Sequence, residues 1–320
     1  KIALDMMGGD NAPSSNISGV IEFLIENNNS TKVYLVGKSD DIIKQLELFP
    51  KIKSENFEII DASEIVKSDD RPSRILKDKP NSSMIKSINL LKDNIVDAVV
   101  SAGNTGCLLA SSFFTLGTIE NVKRPALAAF IPSEKGDFLI CDVGANSSAK
   151  PIHLLQFSQM ASIYMHDILN IKQPKIGLLN IGSEKGKGNE LAKESYSLME
   201  EHLEGFIGNI ESRYIFDGKA DIIVCDGFTG NIVLKLIEGM AEYNLGLISS
   251  KLNLDDNKKI DDIKKIYNYE EYGATPILGV KGLVLKSHGS SSKLSIKNAL
   301  KTAEKLHTFN LINKFEKLSL

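Results

Sequence analysis

Six times along this chain an apolar run of strand length stops at a turn of Gly, Asn, Asp and Ser, and a helix-compatible stretch follows. Repeated strand, turn and helix require parallel strands joined by helical crossovers. Parallel strands bring all of those turns to one carboxyl edge, where open α/β sheets bind ligands. The sharpest copy is Val99-Val100-Ser101-Ala102-Gly103-Asn104-Thr105-Gly106, where the apolar run 95–100 ends and a helical stretch over 107–116 begins. The first amides of such a helix lack intrahelical partners and sit at the positive end of its dipole, which suits a phosphate or a developing oxyanion. A lone turn of this kind is common in α/β folds, so the repetition carries the weight.

Taken in order, residues 2–4 form a buried strand ending at Asp5, and the turn through Ala12-Pro13 leads to a helix that Ser14 or Ser15 can cap. Ile17, Val20, Ile21 and Leu24 lie at helical spacing along it. Strands are predicted over 33–37 and 57–60, with a helix over 40–48 between them. A basic cluster, Arg71, Arg74, Lys77 and Lys79, precedes a helix that Asn81 or Ser82 can cap. It could attract an acidic partner or a phosphate, and a solvated surface is the plainer reading. Arg124-Pro125 opens a strand over 126–131. Further strands are read over 138–141, 176–181, 222–225 and 283–285, with helices from Pro151, over 191–203, from Ile232, and to about Asn313. Over 232–270 the chain departs from this pattern. The stripe Val233, Leu236, Ile237, Met240, Leu247 and Ile248 is followed by alternating Asp and Lys with Ile260, Ile263 and Ile266 facing away. This predicts a helical hairpin leaving the sheet, either as a subunit contact or packed on its own domain.

Composition narrows the function. With 42% hydrophobic and 25% charged residues the chain is an ordinary globular one, read as a single domain over 1–320. Trp is absent and the net charge is −3, which argues against nucleic acid as a partner. No apolar run approaches a membrane span, and the first residues enter a strand without a signal-peptide pattern. Cys107, Cys141 and Cys225 are too few and too scattered for a disulfide framework or a zinc cluster. A reducing cytoplasm, no metal and no cofactor are the expectations.

The turns occur in a recognisable order: Asp5-Met6-Met7-Gly8-Gly9-Asp10-Asn11-Ala12-Pro13, Ser101 to Gly106, Arg124-Pro125-Ala126, and Asp142-Val143-Gly144-Ala145-Asn146. Asn180-Ile181-Gly182 with Lys187-Gly188-Asn189, Asp226-Gly227-Phe228-Thr229-Gly230-Asn231 and His288-Gly289-Ser290-Ser291 complete it. Together they resemble the PlsX family of phosphate acyltransferases from Ile2 to about Ala303. The resemblance implies transfer of a fatty acyl group from acyl carrier protein to inorganic phosphate, giving an acyl phosphate for phospholipid synthesis. It also implies a homodimer with a three-layer α/β/α fold of the isopropylmalate dehydrogenase and phosphotransacetylase type, and a weak peripheral membrane or downstream acyltransferase contact. The polar tip Asn253-Leu254-Asp255-Asp256 departs from the apolar tip of that family's helical arm.

On these motifs the candidate catalytic residues are Lys187, Asn189, Asp226, Asn231 and His288. Candidate phosphate-binding residues are Asp5, Gly8, Gly9, Asp10, Gly103, Asn104, Thr105, Gly106, Arg124, Asp142, Asn146, Ser290 and Ser291. A thioester is already activated, so phosphate can attack it directly if the protein aligns it, stabilises the oxyanion and assists the departing thiolate. Lys187 or Arg124 can offset phosphate charge, and His288 can donate a proton or hydrogen bond. The carboxylates either cap the turns and orient the cations or transfer protons. Two other readings stay open: an NAD-dependent dehydrogenase on a similar fold, and a non-catalytic regulator that binds phosphate or an acyl carrier. The basic residues Lys185, Lys187, Lys258 and Arg74 are the expected contacts for an acidic carrier.

Overall fold

The computed structural model describes residues 1–27, 30–49, 54–133, 135–252 and 272–318. In chain order these form β1 (Ile2–Asp5), α1 (Ser14–Glu26), β2 (Val33–Gly37), α2 (Ser39–Leu46), β3 (Phe57–Asp61), α3 (Ile75–Asp78), α4 (Ser83–Lys92), β4 (Ala98–Ser101) and α5 (Thr105–Leu116). There follow β5 (Ala126–Ile131), β6 (Phe138–Cys141), α6 (Pro151–Leu169), β7 (Ile176–Asn180), α7 (Glu190–His202), β8 (Phe206–Glu211), β9 (Ile222–Val224) and α8 (Gly227–Leu252). The last elements are β10 (Ala274–Leu278), β11 (Leu283–Ser287), α9 (Lys293–Thr308) and α10 (Leu311–Glu316). The chain groups into two compact units, Lys1–Pro125 with Glu270–Leu320, and Ala126–Tyr269.

In the first unit the strands lie in the order β3-β2-β1-β4-β11-β10, all parallel except β10, which runs antiparallel to β11. β1, β2 and β4 are buried along their whole length. Central strands of a parallel sheet are covered on both faces, which is why they read as unbroken apolar runs. The shared direction places the ends of β1, β4 and β11, at Asp5, Ser101 and Ser287, on one edge. Helices α4 and α9 both pack on β4, and α9 packs closely on α1. That approach depends on Gly19, where an added Cβ would lie 2.7 Å from Ile296 Cβ and 2.8 Å from the Lys293 carbonyl oxygen.

In the second unit the order is β5-β6-β9-β7-β8, with β6, β9, β7 and β8 parallel and β5 antiparallel to β6. Helix α6 packs on β6 and β9, and α7 packs on α6.

Local structure departs from the sequence expectations at identifiable places. β4 starts at Ala98 rather than at residue 95, because Ile95 and Val96 close the end of α4 with amide bonds to the Leu90 carbonyl after a left-handed Asn94. Neither Ser14 nor Ser15 caps α1. Pro13 holds that position with no side-chain cap, and the Ser15 hydroxyl instead donates back to the Asn11 carbonyl. Helix α8 begins at Gly227, so residues 227–231 are its first turn and not a loop before it. The final helix divides at Asn310, whose φ is +58°. β8 and β10 are strands the sequence pattern does not predict.

Helix α8 carries Ile232, Leu236, Met240, Tyr243 and Leu247 as exposed side chains at three- and four-residue spacing. The remainder of the expected hairpin, including its polar tip, lies outside the described residues. No helix among the described residues is long and apolar enough to cross a membrane.

Replacing Gly19 by Leu forces α1 and α9 apart. We expect a loss of roughly 1–3 kcal/mol in urea unfolding, the usual cost of overpacking a close helix contact.

Candidate functional site

Three loops meet at the carboxyl edge of the first unit, and a buried carboxylate fastens two of them. Asp5, at the end of β1, accepts hydrogen bonds from the Ser83 hydroxyl at 2.5 Å, the Ser101 hydroxyl at 2.7 Å and the Met7 amide at 3.3 Å. Burial raises the Asp5 pKa above its ordinary value, and the bonds from Ser83, Ser101, Met7 and Gly8 pull it back. Gly8 is required by a close approach: an added Cβ would lie 2.6 Å from an Asp5 carboxylate oxygen and 2.7 Å from the Gly103 nitrogen. Asn16 of α1 holds the same loop by donating to the carbonyls of Asp5, Met6 and Gly8. The loop after β1 is joined to that after β11 by the Asp10 amide on the Gly289 carbonyl at 2.8 Å and by Asn11 on the Ser290 carbonyl.

His288 opens the loop after β11. Its Nδ1 faces the Ser290 hydroxyl at 2.8 Å and accepts from the Ser290 amide at 3.3 Å. A ring nitrogen that accepts from an amide carries no proton, so the neutral ring carries its hydrogen on Nε2. Ser291 is committed locally, its hydroxyl donating to the His288 carbonyl. Thr105 and Gly106 form the start of α5, and Asn104 is its cap, accepting from the Cys107 amide at 3.0 Å. The Asn104 amide group also donates to the carbonyls of Lys67 and Ser68, so this side chain clamps a neighbouring loop to the helix start. Arg124 is exposed at the end of the unit's first segment.

The second unit repeats the device. Asp142, at the end of β6, is fully buried and accepts from the amides of Leu127, Gly144, Ala145 and Asn146 and from the Asn146 side chain, at 2.8–3.1 Å. Burial raises its pKa, opposed by those donors. The Gly227 amide donates to the Asn146 carbonyl, and an added Cβ at Gly230 would run into the Asp142 carbonyl. These contacts seat the first turn of α8 on the Asp142 loop. Asp226 caps it, accepting from the Thr229 amide at 3.0 Å and hydroxyl at 2.8 Å. Asn231 lies one turn on, with Oδ1 3.7 Å from where a Gly144 Cβ would stand.

The loop after β7 is held from within. Asn180 donates to the Lys187 carbonyl, and Asn209 of β8 donates to that of Glu184. Lys187 is exposed, with Nζ 3.8 Å from Glu184. Asn189 caps α7 through the Ala192 amide. Lys185 turns to α7, pairing with Glu200 and lying over the Tyr196 ring.

The structure therefore groups Asp5, Gly8, Gly9, Asp10, Gly103 and His288 to Ser291 in the first unit, and Asp142, Asn146, Asp226 and Asn231 in the second. Asn104, Asn189 and Asp226 spend side-chain acceptors on helix starts. All three cysteines are buried and their thiol pKa values are pushed up by burial, Cys107 to about 11, which suits packing and not nucleophilic attack. Among the described residues no cluster of His, Cys, Asp and Glu is arranged to hold a metal ion. One residue escaped the sequence reading. Lys286, on β11, is part-buried beside this edge, and burial draws its ammonium pKa down to about 8 against the upward pull of Asp5 and Asp10. Its sequence signal is a lysine inside an apolar strand, Leu283-Val284-Leu285-Lys286.

The chain matches the family model described as fatty acid synthesis protein over residues 1–314. It is 45% identical over 317 residues to the phosphate acyltransferase of Dictyoglomus turgidum, covering 96% of this chain and 94% of that protein. The putative phosphate acyltransferase of Clostridium perfringens is 41% identical over 326 residues, covering 98% of this chain and 95% of that one. Among solved structures, a phosphotransacetylase from Streptococcus pyogenes superposes with a TM-score of 0.61 at 14% identity, covering 95% and 93% of the two chains. A branched-chain phosphotransacylase from Enterococcus faecalis gives 0.55 at 16%, covering 95% and 99%. At such identities the structures speak for the fold alone, and they bear out the expected α/β fold of the phosphotransacetylase type.

The Asp142→Asn variant places an amide NH2 where only acceptors satisfy the surrounding N–H groups. We expect about 1–3 kcal/mol lost from the unfolding free energy, with a cooperative urea transition retained.

Proposed function

The chain belongs to the fatty acid synthesis protein family, and from that premise we propose that it transfers a fatty acyl group from an acyl carrier protein thioester to inorganic phosphate. The observation that carries this reading is 45% identity, over nearly the whole chain, to a protein named phosphate acyltransferase. The same membership sets aside the dehydrogenase and regulator readings.

In the proposed step a phosphate oxygen attacks the thioester carbonyl carbon and a tetrahedral oxyanion forms. The carbon–sulfur bond then breaks, leaving an acyl phosphate and a thiolate that takes up a proton. No covalent enzyme intermediate is needed. The groups of the first unit suit this chemistry: backbone amides at the start of α5, and a histidine whose Nε2 carries a proton to donate to the oxyanion or the thiolate. Asp5 and Asn104 support these groups by fixing the loops. Asp10 and Ser290 complete the polar edge there, and Arg124 is an exposed cation of the same unit. In the second unit, Asp142, Asp226, Asn146 and Asn189 hold loops and helix starts, which leaves Asn231 and Lys187 as the groups to meet a substrate. An acidic carrier would meet exposed cations, Arg71 and Lys77 in the first unit and Lys187 in the second, since Lys185 is tied to Glu200 and Arg74 to Asp78, and Lys258 lies outside the described residues. A homodimer and a peripheral membrane contact are the remaining parts of the proposal, with the exposed apolar stripe of α8 as the surface in keeping with them.

Incubation with acyl carrier thioester and phosphate, followed by hydroxylamine, should give an acyl hydroxamate only when phosphate is present. The His288→Gln variant should lower its rate by roughly 10²–10⁴-fold, the usual contribution of a positioned proton donor. A phosphate-independent signal in the wild type would sink the reading.

A further inference from the structure

We propose that Lys286 is the cation that binds the substrate phosphate in the first unit, a role that rests on the phosphate acyltransferase reading. The argument begins with register. On β11 Lys286 pairs with Ser101 of β4, and on β1 Leu4 pairs with Val100, which sets Asp5 beside Ser101. Side chains at matched positions of parallel strands project to the same face. Asp5, Ser101 and Lys286 thus form a row across three adjacent strands at the carboxyl edge. The hydroxyl in the middle donates to the carboxylate at one end.

The lysine at the other end is left in an unusual state. Its Nζ donates to the Ser287 carbonyl, and among the described residues that is its one hydrogen-bond partner. An ammonium has three donors. No carboxylate stands within ion-pair distance of it among the described residues: Asp5 is occupied by Ser83, Ser101 and Met7, and Asp10 is exposed on its loop. A cation withdrawn from water with no anion beside it is costly, and an arriving anion removes that cost. The loops after β1 and β11, which carry Asp10 and His288, are tied together beside it by the Asp10 amide on the Gly289 carbonyl. A phosphate held by Lys286 would lie at the same edge as the histidine proposed as proton donor.

The charged groups that act on Lys286 are Asp5 from β1 and Asp10 from the following loop. Its strand neighbours Ser101 and Thr275 do not titrate. Burial places its loss of charge at about pH 8 in the free protein, and a bound anion raises that value. Phosphate binding should weaken as pH rises through this range, and the bound state should tolerate a higher pH.

The test varies inorganic phosphate at saturating acyl carrier thioester, and measures phosphate binding alone by calorimetry. For the Lys286→Met variant we expect KM for phosphate to rise by roughly 10- to 1,000-fold, with KM for the thioester within about twofold of wild type. The alkaline fall in kcat/KM for phosphate, compared with wild type at each pH so that phosphate's own titration cancels, should disappear. Lys286→Arg should keep binding and move that fall to higher pH, which decides the matter even if the methionine variant does not fold. An active wild type whose phosphate KM and alkaline limb survive both substitutions would overturn the role of Lys286 and leave acyl transfer standing. A wild type that binds phosphate through Lys286 yet forms no acyl hydroxamate would overturn the acyl transfer instead.

Discussion

A buried carboxylate at the end of a parallel strand is the constraint on which each half of this molecule depends. Tight turns at a carboxyl edge leave backbone N–H groups pointing inward with no ladder to satisfy them. Asp5 and Asp142 answer that need with acceptor-only side chains able to take several donors at once. Asp142 collects four amides and a side-chain NH2, and Asp5 collects two hydroxyls and the start of its own loop. Each bond fixes a stretch of chain that carries no regular structure. The pKa values of both groups move upward with burial and are drawn back by their donors. These aspartates therefore act as fasteners that shape the loops.

What the sequence disclosed and what it withheld follow from the same physics. Strands such as β1, β2 and β4 are buried on both faces, so an unbroken apolar run announces them. β8 carries Gly208 at φ +95° and half-exposed residues, and β10 carries Pro276, so neither shows a clean pattern. The stretch 226–231 reads as a loop because Gly227 and Gly230 look like turn formers. Their absent side chains instead let α8 start against the Asp142 loop. The membership of the site edges was legible in the motif order, but the roles within it were not. Asn, Asp and Ser serve equally as helix caps and as ligands, and only the placement of the Cys107, Ala192 and Thr229 amides assigns Asn104, Asn189 and Asp226 to capping. Lys286 was hidden for a different reason. Its neighbours on adjacent strands come from distant stretches of chain, so its place in a row with Asp5 and Ser101 exists only once the register is known.

The carboxylates also pose an electrostatic problem that the bonding pattern resolves. Phosphate is repelled by ionised carboxylates nearby, so a site edge rich in aspartate opposes its binding unless those charges are offset. Asp5 does not behave as a bare charge, because hydroxyl and amide dipoles are aimed at its oxygens and burial favours its neutral form. The donors that quiet Asp5 come from the strand and helix framework: Ser83 opens α4 and Ser101 closes β4. That leaves the Lys286 ammonium without a direct carboxylate partner among the described residues, while the neutral His288 ring keeps its hydrogen on Nε2. Asp5 and Asp10 remain near enough to hold the lysine's charge up without pairing with it. An arrangement that keeps a cation charged yet uncommitted favours a ligand that brings its own negative charge. It disfavours a neutral competitor, which would leave the ammonium without an anion.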